Sequence, residues 1–186
     1  MIGVLPTTLS VDGVDYAIRS DYRVILNIFE AFADDELRDS EKVLVMLKCL
    51  YVDVPDDIQQ AAEKAVWFID GGGSSATQSD KPQNKVKLID WEQDEQIIFS
   101  AVNKVAGKEI RALEYLHWWT FLGYFNEVGE GLFSTVLNIR SKKAKGKKLE
   151  KYEQDFYKSH KDLIDIKKKY TEEEKEEMAR INDIFK

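Results

Sequence analysis

The chain has few residues that could carry out catalysis or bind a transition metal. Its two histidines, His117 and His160, and its only cysteine, Cys49, are far apart in the sequence. No HxxH, HExxH, CxxC or GxSxG spacing occurs, so neither a zinc site nor a hydrolase nucleophile is indicated. Cys49 falls on the apolar side of a predicted helix, where a small buried thiol is the usual outcome. These residues predict a protein that is not an enzyme and that needs no cofactor or metal.

Two other patterns could bind an ionic ligand. The glycines at 71–73 follow a predicted helix and match neither GxxxxGK[ST] nor GxGxxG, so a phosphate-binding loop is not indicated. The acidic clusters at 34–36 and 172–174 lack the spacing of a calcium-binding loop. We therefore interpret the glycines as part of a linker and the acidic clusters as solvated helix ends.

The basic run from Arg140 to Lys151 is the strongest charge feature. Residues 140–169 contain twelve Lys and Arg against five Asp and Glu, a net +7, so the rest of this −7 chain carries −14. Such a run could contact nucleic-acid phosphates, remain a solvated helical arm, or dock on an acidic protein surface. Because only Glu150 is acidic nearby, we expect the cations not to be neutralised within their own helix. The overall acidity favours a protein partner, such as the acidic run 172–177.

The elements that would position these residues are mainly helices. Residues 9–18 alternate in polarity on either side of Asp12-Gly13, which predicts a β-hairpin because a two-residue turn needs positive φ at both positions. Helical periodicity follows. The predicted N-terminal caps of the next two helices are Ser20 or Asp21, and Asp39 or Ser40.

Two more helices are predicted on either side of the glycine-rich segment. The first has Pro55 in its first turn. Its apolar stripe comprises Ile58, Ala61, Ala62, Ala65, Val66 and Ile69. The second runs from Trp91 to Val105, with Asp90 as its cap and Gly107 as its end.

The segment from 111 to 128 is the most apolar in the chain. Ten of the sixteen residues from 113 to 128 are apolar or aromatic, and the polar ones spiral around a helix instead of forming one wet face. This pattern is typical of a central, buried helix. We predict that Trp118, Leu122 and Phe125 face the core. His117 is interpreted as a structural or interface histidine, hydrogen-bonded if it is buried.

A further helix is predicted to begin at Phe133 and to run into the lysine-rich segment ending at Lys148. Tyr152 and Phe156 continue the pattern at a spacing of four residues. Residues 171–174 fit a capping box for a final helix.

Composition divides the chain into three parts. Residues 71–84 contain no large apolar side chain, which predicts a flexible Gly/Ser-rich linker. Residues 1–70 would hold the hairpin and its helices, and residues 85–186 a C-terminal helical region with the basic arm. The predicted fold is mainly α, a helical bundle with a small N-terminal β-hairpin, in which the linker joins two helical halves. No apolar run is long enough to span a membrane.

Two strings carry a family resemblance: YLHWWTF at 115–121 and IRSKKAKGKKL at 139–149. Together with Leu5-Pro6 and the segment 152–157, they resemble the gene-product-fifteen family of long-tailed phages and prophages of Gram-positive bacteria. The resemblance covers most of the chain and is weakest in the linker and the acidic C-terminus. No catalytic residue is implied by it.

The resemblance implies a tail assembly chaperone, because members of the family lie beside tape-measure genes. Such a protein coats the tape measure protein, keeps it soluble, recruits tail-tube protein and is absent from the finished virion. We therefore expect a protein of the bacterial host cytoplasm with weak self-association, and no membrane or nucleic-acid partner. The alternative is a nucleic-acid-binding phage protein that uses the basic 140–151 helix. The candidate partner-binding residues are His117, Trp119, Tyr124, Arg140, Lys142, Lys143, Lys145, Lys147, Lys148, Tyr152 and Phe156.

Overall fold

The structure is a computed structural model that describes residues 3–73 and 87–167, together with Glu174, Glu177 and Arg180. Within this part the chain forms one two-stranded antiparallel sheet and eight α-helices, which confirms the predicted mainly helical fold with an N-terminal hairpin. The strands are β1 (Thr8–Val11) and β2 (Val14–Ala17), and the helices are α1 (Tyr22–Phe32), α2 (Asp39–Leu50), α3 (Ile58–Ile69), α4 (Glu95–Ala106), α5 (Trp118–Asn126), α6 (Leu132–Ala144), α7 (Lys151–Ser159) and α8 (Lys161–Ile164). None of the described helices is long and apolar enough to cross a membrane.

The hairpin turns at Asp12-Gly13, as its sequence predicts. Both residues have positive φ, +50° and +76°, the backbone conformation that a two-residue turn requires. The turn is attached to α3, because the Asp12 amide donates to Gln60 Oε1 at 2.6 Å and Gln60 Nε2 donates to Asp12 Oδ1 at 3.1 Å. Leu9 and Val11 of β1 are buried. A hairpin of two short strands is only marginally stable alone, so this packing supplies the stability that it needs.

The first two helices begin at or next to their predicted caps. Asp21 caps α1 by accepting from the Arg23 amide, and α2 has Arg38 as its cap, one residue before the predicted position. α3 begins later than predicted, and its predicted stripe is confirmed in part, since Ala62 and Ile69 pack against the core beside the buried Ala61 and Ala65. Its cap is Asp57, which accepts from the Gln60 amide and leaves Pro55 outside the helix. The buried residues of α3 are Ala61, Ala65 and Phe68, whereas Ile58 and Val66 of the predicted stripe are exposed.

The predicted helix from Trp91 begins only at Glu95. Asp90 accepts hydrogen bonds from the amides of Glu92 and Gln93, so a separate turn precedes α4. The physical cause is local competition, because an aspartate side chain can hold the backbone in a turn instead of a helix.

The prediction of one buried helix over 111–128 is wrong. A 3-10 turn at Ile110–Ala112 is followed by extended chain up to the cap His117, and α5 itself has nine residues. The extended chain lies along the start of α1, where Asp21 Oδ2 accepts from the Leu116 amide and Ser20 O accepts from the Trp118 amide. Trp118 is buried as expected, and Leu122 and Phe125 are partly buried.

The helix predicted from Phe133 runs into the lysine-rich segment as expected, but it ends inside that segment and does not continue to Lys148. α6 ends at Ala144, and Gly146 takes the left-handed conformation with φ +62°. The Lys147 amide then donates to Lys142 O, the closing hydrogen bond of a glycine-terminated helix. α7 begins after a separate cap at Glu150. The capping box predicted at 171–174 lies outside the described ranges, apart from Glu174.

One aromatic core joins the chain on both sides of residues 74–86. Trp118 Nε1 donates to Ile69 O at 2.8 Å, and Trp119 Nε1 donates to Phe68 O at 2.8 Å, so two indoles of α5 bind the last carbonyls of α3. A smaller C-terminal cluster packs α6 against α8. The aromatic core includes Tyr22, Tyr51, Phe68, Phe99, Trp118, Phe121 and Phe133, and the C-terminal cluster consists of Val136, Ile139 and Ile164. Most of the predicted linker lies outside the described ranges.

Candidate protein-binding surfaces

His117 is a buried part of the fold. It is the N-cap of α5, where its Nδ1 accepts from the Trp119 amide at 3.0 Å and its Nε2 is 2.9 Å from Pro6 O. A carbonyl can only accept, so the ring carries its hydrogen on Nε2. Only 3% of the residue is exposed. The imidazole therefore holds the N-terminal segment against the start of α5, as expected for a buried histidine with both nitrogens hydrogen-bonded.

Two of the aromatic side chains after His117, those of Trp119 and Tyr124, are partly buried. Trp119 stacks on Phe68, with ring centroids 6.0 Å apart, and packs under Gly72. A Cβ at Gly72 would lie 2.7 Å from the Trp119 ring, and its φ of +81° also favours glycine. Tyr124 is partly buried against the aromatic core. These contacts position the end of α3 on α5.

Arg140 is an internal anchor of the C-terminal region. Its guanidinium donates to both carboxylate oxygens of Asp94, at 2.5 and 2.8 Å, and to the carbonyls of Leu88, Leu163 and Ile164. These bonds use all five N–H donors of the group. Because Arg140 is 6% exposed and the Asp94 side chain is fully buried, the structure gives this arginine an internal role that fixes α4, α6 and α8 together.

Two of the lysines are also neutralised inside the chain. Lys142 Nζ lies 2.6 Å from Glu153 Oε1, and Lys143 Nζ lies 2.5 Å from Asp165 Oδ1. The hydrogen bond from Lys142 holds the pKa of Glu153 below its usual range. As expected, Arg140, Lys142 and Lys143 are not neutralised within their own helix, but each pairs with a carboxylate elsewhere in the chain and so differs from the freely exposed cation that a partner-binding arm requires. The chain turns back after α6, which brings the acidic residues of α7 and of the end of α8 beside them.

Three lysines remain exposed in the turn between α6 and α7. No ion pair with any residue of the described ranges involves Lys145, Lys147 or Lys148. We call these three residues the basic turn. Nearby, Tyr152 is 67% exposed, whereas Phe156 is partly buried and stacks on His160 with centroids 4.2 Å apart. The basic candidate residues of this region thus form two groups. Arg140, Lys142 and Lys143 make internal ion pairs, and the basic turn is exposed.

An apolar groove lies between α4 and the start of α6, and sequence reasoning did not find it. It encloses about 550 Å³. Its apolar lining consists of Ile97, Ala101, Val105, Val128, Leu132 and Phe133. Val105 and Leu132 are 37% and 47% exposed, and the charged residues Lys104, Glu127 and Glu130 stand among the lining residues. Gly129 and Gly131 interrupt the helical pattern beside the groove, and this much is visible in the sequence. The packing of α4 against α6, which forms the groove, has no sequence signal.

The groove can bind one face of an apolar helix or a few apolar side chains. Its volume lies within the range of roughly 300–1,000 Å³ that is usual for binding pockets. Among the described residues, no group of three or more His, Cys, Asp and Glu side chains is arranged to hold a metal ion. The side chains that line the groove offer hydrophobic contacts and, at Lys104, Glu127 and Glu130, ionic contacts.

The fold and its surfaces define a small helical protein with an apolar groove and a separate basic turn. The chain belongs to the Bacteriophage Gp15 protein family, whose model matches residues 1–166. This match confirms the resemblance of the two strings at 115–121 and 139–149 and places the chain among bacteriophage proteins. A comparison with curated proteins and a comparison with solved structures each found no match.

Proposed function

We propose that this phage protein is a tail assembly chaperone that binds the tape measure protein while the tail is built. The observation that carries the proposal is the apolar groove between α4 and α6. A tape measure is long and helical and has apolar stripes, and an amphipathic helix binds by laying its apolar face into such a groove. Membership in a phage family whose genes accompany tape-measure genes supports the same partner.

The size of the groove implies weak binding by each copy. It covers only a few apolar side chains, so one copy protects one short part of a stripe. Several copies along one tape measure would act together, because each bound neighbour raises the effective concentration of the next. Such a coat would keep the tape measure soluble in the host cytoplasm and would leave when tail-tube protein replaces it.

The charges around the groove also select among helices. Lys104 lies on α4, whereas Glu127 and Glu130 lie in the chain that leads into α6. A bound helix is favoured when acidic residues flank its stripe near Lys104 and basic residues flank it near the two glutamates. An uncharged apolar helix would bind without this preference.

Co-expression with the neighbouring tape measure tests the proposal. The informative variants are Leu132→Glu and Val105→Glu, because both side chains line the groove and are exposed enough to be replaced without unfolding the chain. Leu44→Glu is the matched control, since Leu44 is 45% exposed on α2 and does not line the groove. We expect the wild type and the control to keep the tape measure in the soluble fraction, and the groove variants to lose it.

Two results would contradict the proposal. Groove variants that solubilise the tape measure as well as the wild type would show that another surface binds it. A tape measure that precipitates equally with and without the wild-type chain would remove the chaperone role itself. Circular dichroism of each variant separates these results from simple unfolding.

The alternative of nucleic-acid binding depends on the basic turn and Lys151, because Arg140, Lys142 and Lys143 of the 140–151 run are paired internally. Four phosphate contacts give a slope of about −3.6 for log affinity against log salt concentration on duplex DNA. We expect binding at about 0.15 M salt to be too weak for function. Tight binding with a slope steeper than about −5 would favour the alternative.

A further inference from the structure

The chain continues past Lys167 from a point beside one end of the apolar groove. The Lys167 amide donates to Gln93 Oε1 at 3.0 Å, and Gln93 Nε2 donates to Asp165 O at 3.0 Å. Gln93 lies directly before α4, three and four positions ahead of Gln96 and Ile97, which line the groove. Because helical residues at these spacings are neighbours on one face, the segment that follows Lys167 starts next to the groove.

This segment has the sequence pattern of an amphipathic helix. Residues 171–174 fit a capping box, and Met178, Ile181 and Phe185 follow at spacings of three and four residues. An apolar groove binds a helix through side chains at such spacings. The C-terminal segment is therefore a candidate for binding in the groove of its own chain.

The described residues of the segment agree with this pattern. Glu174, Glu177 and Arg180 are all helical. Glu174 lies four positions before Met178, so a helix places it in the row of apolar residues, and it is half-buried. Glu177 and Arg180 lie outside that row and are exposed. The face that carries the apolar residues is thus the less exposed face.

The groove has the length and the open apolar surface that this helix requires. Its lining on α4 extends from Gln96 to Val105, which is about 14 Å, and a helix over residues 171–185 is about 21 Å long. Val105 and Leu132 are exposed, and Ile97 between α4 and α6 is half-buried. A second apolar face that covers these side chains removes them from water, which is favourable.

The two helices of the groove also fix where each apolar residue of the segment would lie. Arg140 of α6 binds Asp94 at the start of α4, so α6 runs antiparallel to α4 and its first residue, Leu132, lies toward the Val105 end. A helix that starts beside Gln93 runs parallel to α4. Ten positions separate residue 171 from Ile181, so Ile181 comes level with Val105 and Leu132.

We propose that residues 171–185 occupy the apolar groove of the same chain until a partner helix displaces them. Only residues 168–170 separate this helix from Lys167, so the short tether holds it beside the groove at a high effective concentration. The docking uses the chain alone. The second part of the inference, displacement by a tape-measure helix, rests on the proposed function.

Docking of the segment changes how the groove binds a partner. A tape-measure helix then binds only the fraction of chains whose groove is open, so its apparent affinity falls by that fraction. A chain without a partner, in turn, does not present Val105 and Leu132 to other copies, and this limits association through exposed apolar surface.

Disulfide trapping in the full chain tests whether the segment reaches the groove. All variants carry Cys49→Ala, which removes the only native cysteine. The groove pair combines Leu132→Cys with Ile181→Cys. The control pair combines Leu44→Cys with Ile181→Cys, since Leu44 is 45% exposed on α2 and does not line the groove.

We expect the groove pair to oxidise at least about tenfold faster than the control pair, because a disulfide forms only where two Cβ atoms come close together. Its product should be a cross-linked monomer. Electrophoresis without reductant measures the rate and the size of the product, and mass spectrometry identifies the bond.

The rate of thiol labelling by a maleimide measures the same contact without a covalent trap. The reporter is Leu132→Cys in the chain that carries Cys49→Ala. Adding Ile181→Glu should raise the labelling rate at least about threefold, because a charge on the apolar face frees the groove. Ala179→Glu is the matched control, since it adds the same charge outside the apolar row, and it should leave the rate unchanged. Circular dichroism verifies that each variant is folded.

Three results would overturn the inference. The first is a groove pair that oxidises no faster than the control pair. The second is a cross-linked dimer, which would assign the groove to the segment of a second copy. The third is an equal labelling rate with Ile181→Glu and with Ala179→Glu. A chain that forms the monomeric disulfide but does not solubilise the tape measure would contradict the proposed function and support the docking, so the two failures are distinguishable.

Discussion

The aromatic core and the C-terminal cluster belong to one chain but are stabilised by different interactions. The aromatic core stacks rings from α1, α3, α4 and α5, as between Tyr22 and Phe121 at 4.9 Å. The C-terminal cluster has three fully or almost fully buried apolar residues, and ion pairs such as Arg140–Asp94 surround it. Hydrophobic burial is therefore the main interaction in the aromatic core, whereas paired charges surround the C-terminal cluster and fix its geometry.

This difference shows that charged residues of a lysine-rich segment can hold helices together instead of binding a partner. A buried ion pair contributes little compared with an apolar replacement, but removal of one partner leaves an uncompensated charge and is costly. In this protein that cost is concentrated at Arg140, whose partners are Asp94 at the cap of α4, the Leu88 carbonyl and two carbonyls of α8. The charges of α6 thus fix the geometry of the C-terminal region, whereas the lysines of the basic turn are exposed and in no ion pair with a described residue.

The largest expected effect is in the aromatic core. Trp118→Ala should lower the free energy of unfolding by about 5 kcal/mol, the upper end of the range for a buried aromatic side chain. The upper end applies because the indole also donates to Ile69 O. Denaturant unfolding measures the change. Val66→Ala is the control, because Val66 is 42% exposed. A loss below about 1 kcal/mol for Trp118→Ala would contradict a core of this kind.

The second effect tests the charged region. Arg140→Ala should cost about 3–5 kcal/mol, because it leaves Asp94 buried without its partner. Arg140→Lys should also be destabilising, since an ammonium group cannot replace the two-pronged contact with Asp94. The control Lys145→Ala, in the basic turn, should leave unfolding nearly unchanged. If Arg140→Ala behaved like that control, the C-terminal region would not depend on this ion pair.

The third effect concerns two glycines with similar backbones. Gly13 and Gly72 have φ of +76° and +81°, but only at Gly72 does a Cβ meet another group, the Trp119 ring. Gly13→Ala should cost about 1–2 kcal/mol for its left-handed conformation. Gly72→Ala should cost roughly 1 kcal/mol more because of the added contact. Equal melting temperatures for the two variants would mean that Trp119 moves aside without cost.

The smallest effect separates the two regions by pH. Hydrogen bonding to Lys142 lowers the pKa of Glu153. At Asp165, burial acts to raise the pKa, but hydrogen bonds from Lys143 and Tyr157 outweigh burial and lower the pKa below its usual value. Because both pKa values are lowered on folding, the stability from these pairs is complete above the ordinary values of 4.5 and 3.8 and is lost as pH falls below them.

We therefore expect mild acid to loosen α7 and α8 before the aromatic core. All four tryptophans lie in or against the aromatic core, so their fluorescence reports on that region alone. Between about pH 4 and 3, circular dichroism should lose helical signal while tryptophan emission stays constant. A simultaneous change in both signals would show that the two regions unfold as one unit.

Local features of the fold were predictable from the sequence. The Asp12-Gly13 turn and the Asp21 cap each depend on residues within a few positions of one another, so the sequence pattern contains their cause. The start of α3 was not predictable in this way. Pro55 and Asp57 both suit a helix start, and the structure places the cap at Asp57, whose side chain accepts from the Gln60 amide.

Of the candidate site, the sequence alone determined the residue types: a lysine-rich segment, an aromatic segment and the absence of catalytic spacings. Tertiary structure decided which of those residues are available. Arg140 finds Asp94 46 positions away and Lys142 finds Glu153 11 positions away, and no local pattern records such pairs. The apolar groove arises for the same reason, because it forms only where α4 and α6 pack together. Spacing along a chain predicts contacts within one element, whereas contacts between elements depend on how the whole chain folds.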